Sequence, residues 1–423
     1  MSEFWKGESE TMDPEERDAR NLERLRRHLE AVRSTSAFYR QRLADVDVDA
    51  LTSREALAEV PTVSKTDIIE DQRQQPPYGS LIGCDPEEVV RLYIGPGPQT
   101  TFFTRDDYAA TADNAAWVFA SNGFRPGDVV DVTIMYHWVI AGTIMDEGYR
   151  LVGCATIPGG IGNPKLHLEN ARWAGTTGLF AFPTFLEELA NAAREMDLDP
   201  ARDLRLRVCT IAGEMHSADH RARMEEFWGG MAVRELYGGA EVPFVAAECE
   251  LGRGMHLNPD FVVELVHPET KQPVGPGEPG VIVVSDLQRR AYPMIRYFSG
   301  DLSEGLDPDP CPCGRTTPRL GRILGRVGDI PRVKGLFVVP KQVAASLARF
   351  EDLGAFQLVV DRPGTQDRLT VRIEHAGDPA ARPALVPQVV AALKDGIRLT
   401  CEVELVDAGA LEGQPTVDDR REL

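Results

Sequence analysis

This chain of 423 residues lacks any apolar run approaching the about 18 residues that mark a membrane helix. Its first residues, MSEFWKGESETMDPEERDAR, lack the basic-then-apolar pattern of a secretory signal. Basic charge is in deficit: 46 Lys and Arg stand against 66 Asp and Glu, a net charge of −20. Nucleic-acid binders carry a basic face, so polymeric nucleic acid is not an expected partner. Cysteine is sparse, and its count of seven is odd, which argues against a disulfide framework. These absences predict a soluble, cytoplasmic protein without membrane or nucleic-acid partners. A small anionic substrate in a local basic pocket stays compatible with the overall charge.

A further lack is local. The stretch RLYIGPGPQTTFFTRDD, residues 91–107, passes from a strand-like run at 91–94 into a predicted loop at 95–101. A phosphate cradle sits in such a place and works through backbone N–H groups and hydroxyls aimed at oxygen. This loop holds Pro96 and Pro98, which have no N–H to donate, and it has no lysine.

What is present is 43% hydrophobic residues, enough for one large core or two domains. Residues 14–45 carry apolar positions at helical spacing, and Ser64 is placed to cap a helix that opens at Lys65. From about 88 to 300, short apolar runs alternate with helical patterns. A strand is expected at 127–136, a helix at 137–153, and a strand and turn at 154–160. Residues 177–196 read as strand, Pro183 break and helix; 206–214 and 233–241 read as strands ending in glycine-bearing turns. The alternation predicts an α/β sheet. Ligands of such sheets lie beyond the carboxyl ends of the strands, which singles out the turns after 136, 158, 182, 212 and 237. Residues 261–303 alternate around Pro-Gly turns, as an antiparallel β segment does. The predicted architecture is therefore α/β. A large N-terminal domain, 1–325, combines α/β sheets with that β segment, and a small α+β C-terminal domain spans 326–423 across a short joint.

Several blocks occur in a telling order: SAFYRQRL, PTVSKTDI, PPYGSLIGCDPEEVVRLYI, IAGEMHS, ELYGGAEVPFVAAEC, YPMIRYFSGDLS, CPCGRTTPRLGRILGRVGD and RVKGLFVVPKQV. Together they resemble the phenylacetate–CoA ligase branch of the adenylate-forming enzymes over nearly the whole chain. The resemblance implies a large domain and a small one that swings between two half-reactions. The first makes acyl-AMP from a carboxylate and ATP; the second passes the acyl group to CoA.

The resemblance also implies roles. Glu241 falls at the family's Mg²⁺-binding glutamate, and hard cations take such oxygen ligands. Gly238 and Gly239 let backbone approach the adenylate closely, with Tyr237 flanking it, and Gly213 and Glu214 belong to the same cofactor site. Asp301 falls at the ribose-binding aspartate, since a carboxylate accepts two hydroxyls. Arg326 and Asp329 match the hinge, and Lys334 with Gly335 the segment offered to CoA. His137 lines the acyl pocket or acts there, with Tyr136, Trp138, Phe182, Phe185, Met215 and Phe244 around a small aromatic acid; core packing accounts for these aromatic side chains almost as well. Three thiols and one imidazole, Cys249, His256, Cys311 and Cys313, suit tetrahedral Zn²⁺, and relatives on this branch carry a similar cluster. A homodimer is the oligomeric state the family implies.

Against the family's pattern, the loop before Thr104 and Asp107 is shortened and has lost paired glycines, lysine and most hydroxyls. Residues 298–300 read Phe-Ser-Gly, so a cation is lost there. Gln414 follows Gly413 where the family ends on a lysine that faces the carboxylate and α-phosphate. A neutral amide cannot replace that charge, and electrostatic groups of this type contribute about 3–4 kcal/mol each. Three readings follow. The first is an aryl-acid-activating ligase with impaired adenylation. The second is an ATP-independent enzyme acting on a preformed acyl-CoA or an acyl thioester on a carrier protein. The third is a non-catalytic binding partner.

Overall fold

A computed structural model describes residues 4–95, 98–275, 277–327, 330–333, 336–361, 363 and 368–421. Pro96, Gly97, Asp329, Lys334 and Gly335, singled out above, lie outside the described residues. The chain divides into two compact units: Met1–Ser299 with Ser303–Ile323, and Gly300–Leu302 with Leu324–Leu423.

Period-two patterning builds the central sheet of the first unit. Its parallel half contains β4 (Val129–Val132), β5 (Ala155–Ile157), β6 (Gly178–Ala181), β7 (Val208–Ile211) and β8 (Ala232–Tyr237), following β1 (Val63–Ser64), β2 (Val89–Gly95) and β3 (Gln99–Thr104) in the chain. The other half is antiparallel: β9 (Ala246–Glu248), β10 (Met255–Leu257), β14 (Leu306–Asp307) and β15 (Arg319–Leu320). The spatial order is β14-β15-β10-β9-β8-β7-β6-β4-β5. Val130, Val132, Phe180 and Val208 face one core with α4 (Arg105–Asn122) and α5 (Ala141–Val152). Leu179, Ala181, Cys209, Ile211 and Val233 face the other with α6 (Pro164–Ala174), α7 (Pro183–Glu195) and α9 (Ala218–Phe227); the single turn α8 (Pro200–Asp203) lies between α7 and α9 in the chain. Successive side chains of a strand point to opposite faces, so these near-continuous apolar strands are buried on both sides.

A second sheet, in the order β1-β13-β12-β11, holds β11 (Phe261–Val266), β12 (Gly280–Asp286) and β13 (Tyr297–Ser303). It shares a core with α1 (Pro14–Thr35) and α2 (Ala37–Arg42). The helix expected over 14–45 is two helices. Ser36 is extended (φ −99°, ψ 123°), and its hydroxyl accepts from Tyr39 N and donates to Ser80 and Leu81 carbonyls, so local capping breaks the periodic run. The cap expected at Ser64 is present as a reciprocal box with Asp67 at the start of α3 (Lys65–Gln74). The helix expected from 137 begins at Ala141; residues 136–140 form a turn in which Trp138 takes a left-handed φ of 65°.

In the second unit, β16 (Ile323–Arg326) leads to a small hairpin of β17 (Arg332–Val333) and β18 (Leu336–Phe337). A sheet follows, β21 (Glu402–Asp407), β20 (Arg368–His375), β19 (Leu353–Asp361) and β22 (Val417–Asp419), packed on α10 (Pro340–Leu347) and α11 (Arg382–Ile397). Among the described residues no helix is long and apolar enough to cross a membrane.

One buried polar pair ties α6 to the sheet. His167 Nδ1 stands 2.6 Å from Asp131 Oδ2, and both side chains are buried. The turn over the pair must be glycine at 159: a Cβ there would lie 2.3 Å from Asp131 Oδ1 and 2.5 Å from His167 Cε1. Gly159→Ala is expected to lower stability by about 1–3 kcal/mol, the usual cost of overpacking. Gly160→Ala meets no neighbour within 4 Å but sits at φ 75°, so it costs about 1–2 kcal/mol through the backbone alone. Urea unfolding checks both. Wild-type stability in Gly159→Ala would mean that the turn is free to move off the pair.

Candidate functional site

The site is built at the end of β8, where the sheet changes from parallel to antiparallel. Gly238 must lack a side chain, because a Cβ would stand 2.5 Å from Phe244 N. Gly239 N donates to Val242 O at 3.1 Å and Val245 N to Tyr237 O at 3.0 Å, closing the turn. The turn carries Glu241 inward: its residue is 6% exposed and its Oε1 has no hydrogen-bond partner. The nearest cation is Lys65 at the start of α3, with Nζ 3.4 Å from that oxygen. Tyr237 is half-buried beside the turn.

The 95–101 stretch is not a seven-residue loop. β2 and β3 pair from Val89↔Thr104 to Gly95↔Gln99, so the strands reach Gly95 on one side and begin at Gln99 on the other. Gln99, Thr100 and Thr101 are buried strand residues. Gln99 donates to Tyr292 Oη at 2.8 Å, and the Thr100 hydroxyl donates to the Pro77 carbonyl. The polar groups of this stretch are thus taken by the fold, because strand pairing turned them inward.

The pocket residues separate into two groups. Tyr136 and Phe182 are half-buried, and His137, Trp138 and Met215 are exposed. Phe185 and Phe244 are core side chains, 8% and 2% exposed, so for them packing is the role the structure displays. Gly213 (φ 78°) lies against the Phe182 ring, where a Cβ would come within 2.7 Å. The Glu214 carboxylate, expected at a cofactor, accepts from Thr184 N at 2.9 Å and Thr184 Oγ1 at 2.7 Å, capping the start of α7. In the second unit Asp301 and Arg326 form an ion pair at 3.1 Å. Gln414 is exposed, in a turn that follows Gly413 at φ 74°. At 298–300, where the family's cation is lost, Lys271 Nζ stands 3.5 Å from the Phe298 ring centroid.

The Cys/His set is assembled by β-pairing. Cys249 follows β9, His256 is central in β10, and Cys311 and Cys313 sit in the loop between β14 and β15. Their ligand atoms all lie within 4.8 Å of one another. Cys249 and Cys311 sulfurs are 4.0 Å apart, and Cys313 Sγ is 3.5 Å from His256 Nε2. Ligands about 2.0–2.3 Å from a tetrahedral Zn²⁺ stand roughly 3.5–3.8 Å apart, so this donor set fits the ion. Around it, His256 Nδ1 faces Thr317, and Arg315 contacts Cys313, Glu10 and Ser121. Partners of this kind orient metal ligands; no local sequence signal marks Glu10 or Arg315 as such.

A second cluster escaped sequence reasoning because its members come from three elements. Arg221 of α9 donates twice to Glu248 of β9 at 2.9 Å and lies 3.5 Å from Glu235 of β8, which His216 approaches at 3.9 Å. Burial, and then the charge of Glu248, push the Glu235 carboxyl up to about 7. The folded state therefore holds this proton more tightly than the unfolded chain does. Its contribution is fully present below about pH 4.5 and is lost as pH rises through about 7. Glu235→Gln should raise the urea midpoint at pH 8 and leave it near wild type at pH 5. Equal effects at both pH values would show that the carboxyl is not held protonated.

The comparisons agree with this geometry. Residues 335–420 match the model for the AMP-binding enzyme C-terminal domain. The phenylacetate–coenzyme A ligase of Thermus thermophilus is 29% identical, with 96% of each chain covered. That of Pseudomonas putida is also 29% identical, over 92% of this chain and 90% of the relative. Among solved structures, an open conformation of 2-hydroxyisobutyryl-CoA ligase in complex with 2-HIB-AMP and CoA superposes with a TM-score of 0.86 and 27% identity. That match covers 95% of this chain and 90% of the other. Similarity of this extent, with the ordered motifs and the turn after β8, means that the chain belongs to the adenylate-forming family, and it is similar over nearly its whole length to phenylacetate–CoA ligases.

Proposed function

We propose that the protein is an acid–CoA ligase that activates a small carboxylic acid as acyl-AMP and transfers the acyl group to CoA. The observation that carries this reading is Glu241: a buried carboxylate, one oxygen without a hydrogen bond, at the carboxyl end of a parallel strand. A buried charge is costly unless a cation completes it, and in this structure the half-exposed Lys65 ammonium stands 3.4 Å from that oxygen. Glu241 would hold Mg²⁺, which supplies neutralising charge for the phosphates. Gly238 and Gly239 give the adenylate room, Tyr237 and Gly213 border it, and Asp301 takes the ribose hydroxyls. Arg326, with Lys334 and Gly335, serves the hinge and CoA. The names of the relatives support the acid and CoA, and they span an aryl acid and a small hydroxy acid. Tyr136, Phe182 and Trp138 favour an aryl acid here, because aromatic side chains supply large contact areas for a ring.

The adenylation step is slow in this reading. The Gln99 amide and the Thr100 hydroxyl at the closed end of the hairpin serve the fold. Position 414 is a glutamine. Pyrophosphate exchange with a panel of benzoates and phenylacetates should be measurable for at least one acid. Its rate should fall at least about a hundredfold below that of the P. putida relative, given the usual size of such losses. No exchange with any acid, together with tight binding of an acyl-CoA, would replace this reading with thioester processing.

The Cys/His cluster is proposed as a structural Zn²⁺ site. Four protein ligands close the coordination sphere, so the ion would cross-link β9, β10 and the 311–313 loop without meeting substrate. Untreated protein should contain about one zinc per chain by elemental analysis. Chelation should lower its melting temperature, since metal affinity is folding free energy. Purification without zinc at an unchanged melting temperature would remove this assignment.

A further inference from the structure

The hairpin lacks a lysine, yet a lysine stands against the site from another direction. Lys65 opens α3, whose capping box with Ser64 and Asp67 fixes where the helix starts. The far end of the same helix is fastened to the hairpin. Gln72 Nε2 donates to Thr100 O at 2.8 Å, and Thr100 N donates to Gln72 Oε1 at 2.8 Å. The next residue back, Gln99, is held by Tyr292. A single helix is therefore clamped to the closed end of the hairpin at one end and reaches Glu241 at the other.

The pair is unequal. The Glu241 side chain is 8% exposed and fixed by its turn; the Lys65 side chain is 47% exposed. A lysine is a point charge on a flexible four-carbon stem, so the ammonium is the mobile partner. A half-exposed ion contact contributes little, so leaving it costs little.

We propose that Lys65 is the phosphate-facing ammonium of the nucleotide site and takes the place of the lysine missing from the hairpin. It rests on Glu241 in this structure and turns to the phosphate oxygens when a nucleoside triphosphate enters, which frees the carboxylate for a divalent cation. The inference rests on the ligase reading above and adds to it the residue that grips the phosphates.

Calorimetric titration of the full chain with ATP and with adenosine tests this, comparing wild type with Lys65→Met and Lys65→Arg. A charge-assisted hydrogen bond is worth about ten- to a hundredfold in affinity. Lys65→Met should weaken ATP by that factor and leave adenosine unchanged, and Lys65→Arg should recover most of the loss. Equal ATP affinity in wild type and Lys65→Met overturns the role of Lys65 and leaves the ligase reading standing. Parallel loss of ATP and adenosine assigns Lys65 to structure alone and overturns it too. If wild type binds an acyl-CoA but no ATP, the inference and the ligase reading fall together.

Discussion

The reversal of the chain after β8 is the constraint from which the site follows. Up to Tyr237 the strands run parallel, and from Ala246 they run antiparallel. Eight residues, 238–245, must turn the chain; 238–240 are exposed and 241–245 are buried, and buried N–H and C=O groups have to be paired. Gly238 allows the close approach to Phe244, Phe244 itself accepts a left-handed φ of 61°, and Asn258 donates to its carbonyl. The same compression drives Glu241 inward. It also sets the register of β9 against β10, with Ala247 opposite His256. One backbone manoeuvre thus presents a carboxylate on one side and gathers Cys249 and His256 on the other.

Much of this was legible along the chain. Strand–helix alternation gave the sheet because buried strands and amphipathic helices have different periods. The cap at Ser64 was legible because capping is local, within three residues. The cysteines and His256 were legible because few residue types bind metal, so their chemistry shows without coordinates. The break at Ser36 was not, although it too is a cap: its hydroxyl also needs the carbonyls of Ser80 and Leu81, more than forty positions away. The hairpin was misread for a related reason. Gln and Thr look like loop residues until strand pairing buries Gln99, Thr100 and Thr101 and gives Gln99 a partner in Tyr292 and Thr100 partners in Gln72 and Pro77.

Electrostatics were the least legible, because charge at a site is a sum over space and a sequence orders residues along a line. Reading position by position, Phe298 and the shortened hairpin each mark a missing cation. In space Lys271 lies over the Phe298 ring and Lys65 lies against Glu241. The converse holds at Glu235, an unremarkable strand residue in sequence. It becomes a carboxyl held up to about 7 because burial strips it of water and Glu248 shares its pocket, against the opposing pull of Arg221.

This displacement of charge bears on how an adenylate-forming site tolerates change. Coulomb attraction depends on distance and surroundings, not on which element carries the ammonium. A loop lysine and a helix lysine are equivalent to a phosphate if their stems reach the same oxygens. Backbone donors are different, because an N–H is fixed to the path of the chain, and no remote residue replaces a cradle closed by Pro96 and Pro98. Charge is therefore the part of a phosphate site that is easily moved, and the ring of amides is the part that is not. In this chain Lys65 stands beside Glu241 and Lys271 lies over the Phe298 ring. The proposed Lys65 site would hold its anion by point charge more than by shape, and its grip on phosphate would weaken as added salt screens that charge.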